Sequence, residues 1–225
     1  MKDILPAFAM KKIRDEYYAS VTEAERTFPY HVGDEDSLTG ALGQALATPP
    51  TIVSDSAGNT FVYSIYYFKI RGRGPGAPEK KLGADGVFQL EVSDSNKNLL
   101  RRKGLLFQSK KNWGEKGKDE LLSDQAARLA DTPGRGIVVD FEKKGYTTCS
   151  CEAAAKAGGN HEKIDETEFK RLSFTLGNDF LECNVGVDGL FYDTENEILY
   201  DPTQDKEAAR EFSGSHVFDT RIQLM

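Results

Sequence analysis

Apolar residues recur along the chain at two spacings, one typical of helices and one typical of strands. Five apolar residues of the segment 35–47 keep the spacing of one helix face: Leu38, Ala41, Leu42, Ala45 and Leu46. This spacing predicts an amphipathic helix, with Asp34 as its N-cap and two prolines beyond its end. Residues 61–70 are aromatic and β-branched, which predicts a strand.

Weaker versions of the same patterns predict the other elements. We expect helices within 3–25, over 118–131 and over about 166–176, and strands over 85–92, 103–111, 136–141, 181–185 and 189–192. A short turn separates 85–92 from 103–111, so these two strands are expected to form a hairpin. The order helix, three strands, helix, strand predicts an α+β protein whose helices flank a mixed β-sheet.

Composition places the chain among globular proteins. Of the 225 residues, 39% are hydrophobic and 29% are charged, a balance found neither in disordered nor in membrane-spanning chains. No apolar run approaches the ~18 residues of a transmembrane helix, and no secretory signal is recognisable. Three cysteines, an odd number, argue against a disulfide framework and for a reducing compartment. We therefore expect a cytoplasmic protein with no membrane partner.

Charge is unevenly distributed along the chain. The formal net charge of −7 by itself disfavours a nucleic-acid partner. Residues 69–118, however, contain 13 basic and five acidic residues and carry a net charge of +8, whereas the rest of the chain carries −15. This asymmetry predicts a polyanion-binding face on an acidic body. The alternative is a solvated face made of strand ends and loops.

Three polar residues are expected to meet at one end of the predicted hairpin. Gln108 and Lys110 project from the same face of their strand, about 6.6 Å apart, because side chains alternate along a strand. Asp85 begins the adjoining strand, and the hairpin brings it beside them. Carboxylate and amide oxygens can hold Mg²⁺, which polarises a phosphate and activates water, while a lysine offsets transition-state charge. The group predicts metal-assisted hydrolysis of a phosphodiester.

These residues resemble the signature of the PD-(D/E)xK nuclease superfamily, which has the restriction-endonuclease-like fold. In that signature an Asp precedes a strand that carries (D/E)-x-K. The resemblance makes Asp85 the Asp, Gln108 the second metal ligand and Lys110 the lysine that assists the attacking water. It also implies that the Ser109 carbonyl and the Glu35 carboxylate, on the preceding helix, are directed at the metal.

The resemblance covers about residues 30–145 and implies both a fold and an activity. The order of elements there matches the family's α-β-β-β-α-β core, within a single domain over 1–225 whose residues 146–225 form a C-terminal extension. Glu35 suits the family's helix position because at 100° per residue it lies within about 20° of Leu42 on the apolar stripe. The implied activity is a Mg²⁺- or Mn²⁺-dependent nuclease acting on DNA, for example in prokaryotic restriction or antiviral defence.

The chain departs from the family at Gln108, where Glu or Asp is usual. A neutral amide gives a metal one oxygen but no charge. The departure leaves open a catalytically silent member of the fold that binds nucleic acid or serves as a scaffold subunit. A second alternative is an unrelated α+β interaction module whose basic strip binds an acidic partner. Because no separate target-recognition segment is evident, control by a partner subunit, a homo-oligomer or a small activator is expected.

Residues around the site are candidates for contact with nucleic acid. They are Arg71, Arg73, Lys80, Lys81, Lys111 and Trp113. Arginines pair with phosphate oxygens and glycines let the backbone approach them, whereas Trp113 could stack on a base. The alternatives are a plain flexible loop over 71–76 and a tryptophan that caps the edge of the core. Gln125, on the helix after the third strand, is a further candidate for facing the site.

Overall fold

The computed structural model describes residues 1, 3–31, 33–70, 83–203 and 215–225. In these ranges no helix combines the length and the apolar character needed to cross a membrane.

Helices and strands of the described residues are numbered in chain order. The helices are α1 (Ala7–Thr27), α2 (Glu35–Leu46), α3 (Trp113–Lys116), α4 (Glu120–Leu129), α5 (Cys151–Lys156) and α6 (Leu172–Phe174), which continues as a π-helix over Thr175–Phe180. Short 3-10 segments occupy Phe28–Tyr30, His161–Lys163 and Glu166–Glu168. The strands are β1 (Thr48–Ser54), β2 (Thr60–Lys69), β3 (Gly86–Ser93), β4 (Leu99–Lys111), β5 (Gly136–Glu142), β6 (Gly145–Ser150), β7 (Lys170–Arg171), β8 (Val187–Asp188), β9 (Phe191–Asp193), β10 (Ile198–Tyr200) and β11 (His216–Leu224).

Nine strands in the described part of the chain form one mixed sheet. Eight follow the order β1-β2-β11-β3-β4-β5-β6-β7, and β8 pairs with β4. β3 and β4 form the predicted antiparallel hairpin, and β5 runs parallel to β4 after the chain has passed through α4. The predicted α+β class, with a mixed sheet and flanking helices, is confirmed.

The last strand lies in the middle of this sheet. β11 pairs antiparallel with β2 and parallel with β3, so it separates the first two strands of the predicted core. Val217, Phe218 and Ile222 of β11 are buried in the apolar cores. A strand of the segment 146–225, which the resemblance makes an extension, thus completes the sheet from the inside.

Two apolar cores cover the two faces of the sheet. One core joins the sheet to α1, α2 and the segment that follows α6, and it contains Leu105 and Phe107. The other lies under α4, α5 and the β9–β10 hairpin, and it contains Leu106. Because side chains alternate along a strand, Gln108 and Lys110 follow Leu106 and face α4.

Some predicted elements are wrong in the regions away from the site. The segment 166–176 forms a 3-10 turn, a two-residue strand and α6 rather than one helix, and 181–185 is a turn rather than a strand. The sequence patterns predict none of six further strands: β1, β6, β7, β8, β10 and β11. The prolines after α2 belong to β1, an edge strand whose pairing with β2 is irregular between Thr48 and Thr51, and both features tolerate proline.

Candidate active site

Asp85 lies where the chain enters β3. Its backbone N–H donates to a β4 carbonyl (2.8 Å), and its own carbonyl accepts from the N–H groups of Ser215 (2.7 Å) and His216 (3.2 Å). Gly83 has a φ of +74°, and a Cβ at this position would lie 2.8 Å from the Gln125 carbonyl oxygen. Glycine therefore allows the chain to pass directly against α4 before it reaches Asp85.

Three donors from two adjacent β4 residues hold the Asp85 carboxylate. Its Oδ2 accepts from the Gln108 amide (Nε2, 2.6 Å), from the Ser109 backbone N–H (2.7 Å) and from the Ser109 hydroxyl (2.6 Å). The register of the hairpin fixes these contacts. Gly86 pairs with Phe107, so the preceding residue, Asp85, lies opposite Gln108. Asp85 and Gln108, which the sequence places 23 residues apart, are thus in direct contact.

The amide of Gln108 has its nitrogen bonded and its oxygen unsatisfied. Gln108 is 3% exposed, and its Oε1 accepts no hydrogen bond from any described residue. A buried amide oxygen without a donor costs about 1–3 kcal/mol, and a cation would remove that cost. Oxygen atoms from a carboxylate and an amide are donors that Mg²⁺ accepts. The donor set of Asp85 and Gln108 therefore fits a divalent cation.

Lys110 forms an enclosed ion pair next to these residues. Its ammonium lies 3.1 Å from Asp119 Oδ2, and the residue is 8% exposed. Asp119 is the N-cap of α4, where its Oδ1 accepts from the Leu122 N–H (2.9 Å). Burial acts to raise the pKa of Asp119, but the Leu122 N–H and the Lys110 ammonium outweigh it, so this pKa lies below its ordinary value.

Glu35 reaches the same end of the sheet from the first turn of α2. Its Oε1 accepts from the Lys111 backbone N–H (3.2 Å). Burial raises the pKa of this half-buried carboxyl, against the opposing charge of Lys110 and the Lys111 N–H, and the charge of Asp85 adds to the rise. The charges of Lys110 and Asp85 thus both act on the Glu35 carboxyl.

The residues that the sequence predicts as metal ligands thus comprise two carboxylates, those of Asp85 and Glu35, and the amide of Gln108. Across the described residues, no three His, Cys, Asp or Glu side chains are grouped so that they could hold a metal ion. A cation here would depend on the neutral oxygen of Gln108 for its third protein ligand.

Trp113 does not contribute to a nucleic-acid surface. It is 1% exposed, its indole N–H donates to the Gly159 carbonyl (3.0 Å), and its ring meets the edge of His161 at 5.0 Å. The prediction that Trp113 stacks on a base is wrong, because the side chain fills the core beneath α4 and α5. The alternative, a tryptophan at the core edge, is the arrangement observed.

The other predicted nucleic-acid contacts are only partly visible. Lys111 ends β4 beside Glu35 and is partly exposed. Arg71, Arg73, Lys80 and Lys81 lie outside the described residues. Gln125 packs its backbone against Gly83, and its side-chain Oε1 is buried without a described hydrogen-bond donor.

The basic residues of 69–118 do not form one face. Arg101 and Arg102 make ion pairs with carboxylates of neighbouring strands, and the buried Lys103 ammonium donates to two backbone carbonyls. These three residues lie in the first half of β4, between about 23 and 30 Å from Lys110 at ~3.3 Å per residue. The prediction of a single polyanion face is wrong for these three residues. Among the described residues, the charges of Lys69 and Lys111 act on Asp34 and those of Lys110 and Lys116 act on Glu35, so these four lysines lie near the first turn of α2.

Sequence reasoning missed the residues that hold the site in place. Asp119 could have been found, because an Asp directly before an apolar helical pattern is an N-cap signal. His216 could not, because its partner Asp36 is 180 positions away and no spacing rule connects them. Both residues contact groups that flank the predicted ligands.

Comparison with family models, with curated proteins and with solved structures finds no match for this chain.

Proposed function

We propose that the protein is a metal-dependent nuclease that hydrolyses phosphodiester bonds of DNA, as its resemblance to the PD-(D/E)xK superfamily implies. One observation carries the proposal. The carboxylate of Asp85 contacts the buried amide of Gln108, whose Oε1 has no donor among the described residues. Lys110 projects from the same strand face.

The proposed roles follow from the chemistry of each side chain. Asp85, Gln108 and Glu35 would hold Mg²⁺ or Mn²⁺, and the bound cation would polarise the phosphate and make its water more acidic. The ammonium of Lys110, which pairs with Asp119, would offset the negative charge that develops on the phosphate.

The neutral amide of Gln108 makes Glu35 more important than it would otherwise be. With Gln108 uncharged, Asp85 and Glu35 supply the negative charge that attracts the cation. Burial raises the pKa of Glu35, which means that the ionised form of this carboxyl is disfavoured in the metal-free protein. A cation beside it would favour the ionised form. We therefore expect metal binding and ionisation of Glu35 to be coupled.

The proposed substrate approaches from the end of the sheet where the lysines gather. Lys69, Lys111 and Lys116 lie around the start of α2, where ammonium groups can pair with the phosphates that flank the scissile bond. Action in the cytoplasm, in restriction or antiviral defence, and control by a partner subunit, a homo-oligomer or a small activator belong to the same proposal.

A catalytically silent DNA-binding or scaffold subunit is the second candidate. Two contacts favour it: the Gln108 amide nitrogen donates to Asp85, and Asp119 pairs with Lys110. These contacts satisfy much of the site without a ligand. In such a subunit, DNA affinity would fall with salt concentration but no cleavage would occur.

A plasmid-cleavage assay with Mg²⁺ or Mn²⁺ tests the first candidate against the second. The variants are Asp85→Ala and Lys110→Ala, and the matched controls are Asp124→Ala and Lys11→Ala, which replace exposed residues of α4 and α1. The proposal expects metal-dependent cleavage by wild type and both controls, and loss of at least about 100-fold in each site variant. Salt-sensitive binding without cleavage would favour the silent subunit. Cleavage unaffected by Asp85→Ala would remove the site assignment.

A further inference from the structure

A buried histidine lies against the candidate site. His216 begins β11 between β2 and β3, where it pairs in register with Lys69 on one side and with Gly86 on the other. Its backbone N–H donates to the Asp85 carbonyl (3.2 Å). The residue is 2% exposed, and none of the proposed catalytic roles uses it.

Both ring nitrogens of His216 have a side-chain partner. Nδ1 lies 2.9 Å from Tyr67 Oη, and Nε2 lies 2.9 Å from Asp36 Oδ1. A carboxylate only accepts, so Nε2 must carry a hydrogen. Burial lowers the pKa of His216, against the opposing charge of Asp36. In the neutral ring Nδ1 then accepts from the Tyr67 hydroxyl, and the three side chains form one chain of hydrogen bonds, here named the His216 relay.

The relay ends next to a proposed metal ligand. Asp36 and Glu35 are consecutive residues in the first turn of α2. Glu35 is held by the Lys111 N–H of β4, whereas Asp36 is held by His216 of β11 and by the Lys69 ammonium of β2. Three strands therefore anchor the first turn of α2, one through Glu35 and two through Asp36.

Without such an anchor the position of Glu35 would be unstable. Its carboxylate is half-buried, and a partly desolvated charge moves toward water when its surroundings allow it. Asp36 is half exposed, whereas His216 is buried in the sheet. The hydrogen bond between them therefore connects the first turn of α2 to the interior of the sheet.

We propose that His216 is a positioning residue that fixes Glu35 at the cation site through Asp36. This inference rests on the proposed function and adds to it a determinant of metal affinity that touches neither cation nor substrate. Loss of a partner behind a metal ligand typically weakens metal affinity by about 10- to 100-fold. Because β4 holds Asp85 and Gln108 independently of the relay, we expect about tenfold here.

Binding of Mn²⁺ to the DNA-free protein, measured by electron paramagnetic resonance of the free ion, tests the inference. The variants are His216→Ala, His216→Gln, whose amide can still donate to Asp36, and Asp36→Ala. Asp36→Ala removes the same contact from its half-exposed end, so it remains informative if His216→Ala fails to fold. His31→Gln, in the connection before α2, is the control for a histidine outside the relay. Circular dichroism establishes that each variant is folded.

The inference expects about tenfold weaker Mn²⁺ binding in His216→Ala and Asp36→Ala, an affinity close to wild type in His31→Gln, and partial recovery in His216→Gln. Wild-type affinity in both His216→Ala and Asp36→Ala would overturn the role of the relay and leave the proposed function intact. Absence of Mn²⁺ binding in the wild-type protein would overturn both.

Discussion

At the scale of single residues, local rules explain why four side chains proposed for the site lie at the same end of the sheet. Asp85, Gln108, Lys110 and Glu35 converge because alternation along a strand and the 100° step of a helix are local rules. Trp113 was misplaced because its neighbours Lys111 and Asn112 are polar, and a sequence does not show whether an aromatic residue after them turns toward solvent or core.

The Lys110–Asp119 pair gives a prediction on stability. Asp119→Asn keeps a good N-cap for α4 but removes the carboxylate beside an ammonium that is 10% exposed. Leaving such a group without its partner is expected to lower the free energy of unfolding by about 1–3 kcal/mol. Urea denaturation measures the change. Asp124→Asn, on the exposed side of the same helix, is the control, and equal stability of the two variants would contradict the prediction.

At the scale of elements, local patterns located α2, β2, β3, β4, α4 and β5. Apart from the β3–β4 hairpin, the sequence does not predict which strands pair with each other, because the residues of an apolar strand do not depend on the identity of its neighbour. Nothing in the sequence of β11 indicates that it lies between β2 and β3, since its pairing with β2 joins residues about 150 positions apart in the chain.

The contact of α2 with β2 depends on one glycine. A Cβ on Gly43 would overlap the ring of Tyr67, whereas a Cβ on Gly40 would meet only the Tyr67 Oη at 3.6 Å. Helix propensity alone favours alanine at either position by up to about 1 kcal/mol. We expect Gly40→Ala to leave the free energy of unfolding unchanged or to raise it. We expect Gly43→Ala to lower it by about 1–3 kcal/mol through overpacking. Urea denaturation compares them, and equal effects would contradict this account of the packing.

Asp140 of β5 makes the start of α3 sensitive to pH. Its carboxylate accepts from the N–H groups of Trp113 and Gly114, both at 2.9 Å. Burial raises the pKa of Asp140 to about 6 against these two hydrogen bonds, and the charge of Glu142 adds to the rise. The native state therefore holds this proton more tightly than the unfolded chain does.

The sign of the pH effect follows from the raised pKa. Protonated Asp140 contributes stability that is complete below the ordinary pKa of 3.8 and is lost as the pH rises through about 6. From pH 4 to pH 7, the free energy of unfolding of the wild-type protein is expected to fall by up to about 3 kcal/mol relative to that of Asp140→Asn. Urea denaturation across this range measures the difference. A constant difference would show that Asp140 does not titrate as expected.

At the scale of the whole molecule, the order of strands in the sheet and the distribution of charge both differ from what the order of residues in the chain indicates. The α+β class was predictable from the order of elements, but the C-terminal strand belongs to the centre of the sheet. The basic block divides along β4 because strand direction separates residues that are close in sequence. One end carries ion pairs far from the site, and the other carries the lysines near Glu35.

The central position of β11 predicts that a shortened chain will not fold. Residues 1–214 would lack the strand between β2 and β3, which exposes two strand edges and removes the buried Phe218 and Ile222. We expect this fragment to show no cooperative urea transition by circular dichroism. A chain lacking only the exposed Met225 is the control. Cooperative unfolding of 1–214 would contradict the role assigned to β11.

The proposed activity depends most on a catalytic cation held by Asp85 and Gln108. The most direct test is DNA cleavage as a function of Mg²⁺ concentration for wild type, Gln108→Glu and Asp85→Ala. Because a second carboxylate adds charge to the site, the account predicts that Gln108→Glu reaches half-maximal cleavage at lower Mg²⁺ than wild type, and that Asp85→Ala does not cleave. Identical Mg²⁺ dependence in all three proteins, or cleavage that needs no divalent cation, would contradict it.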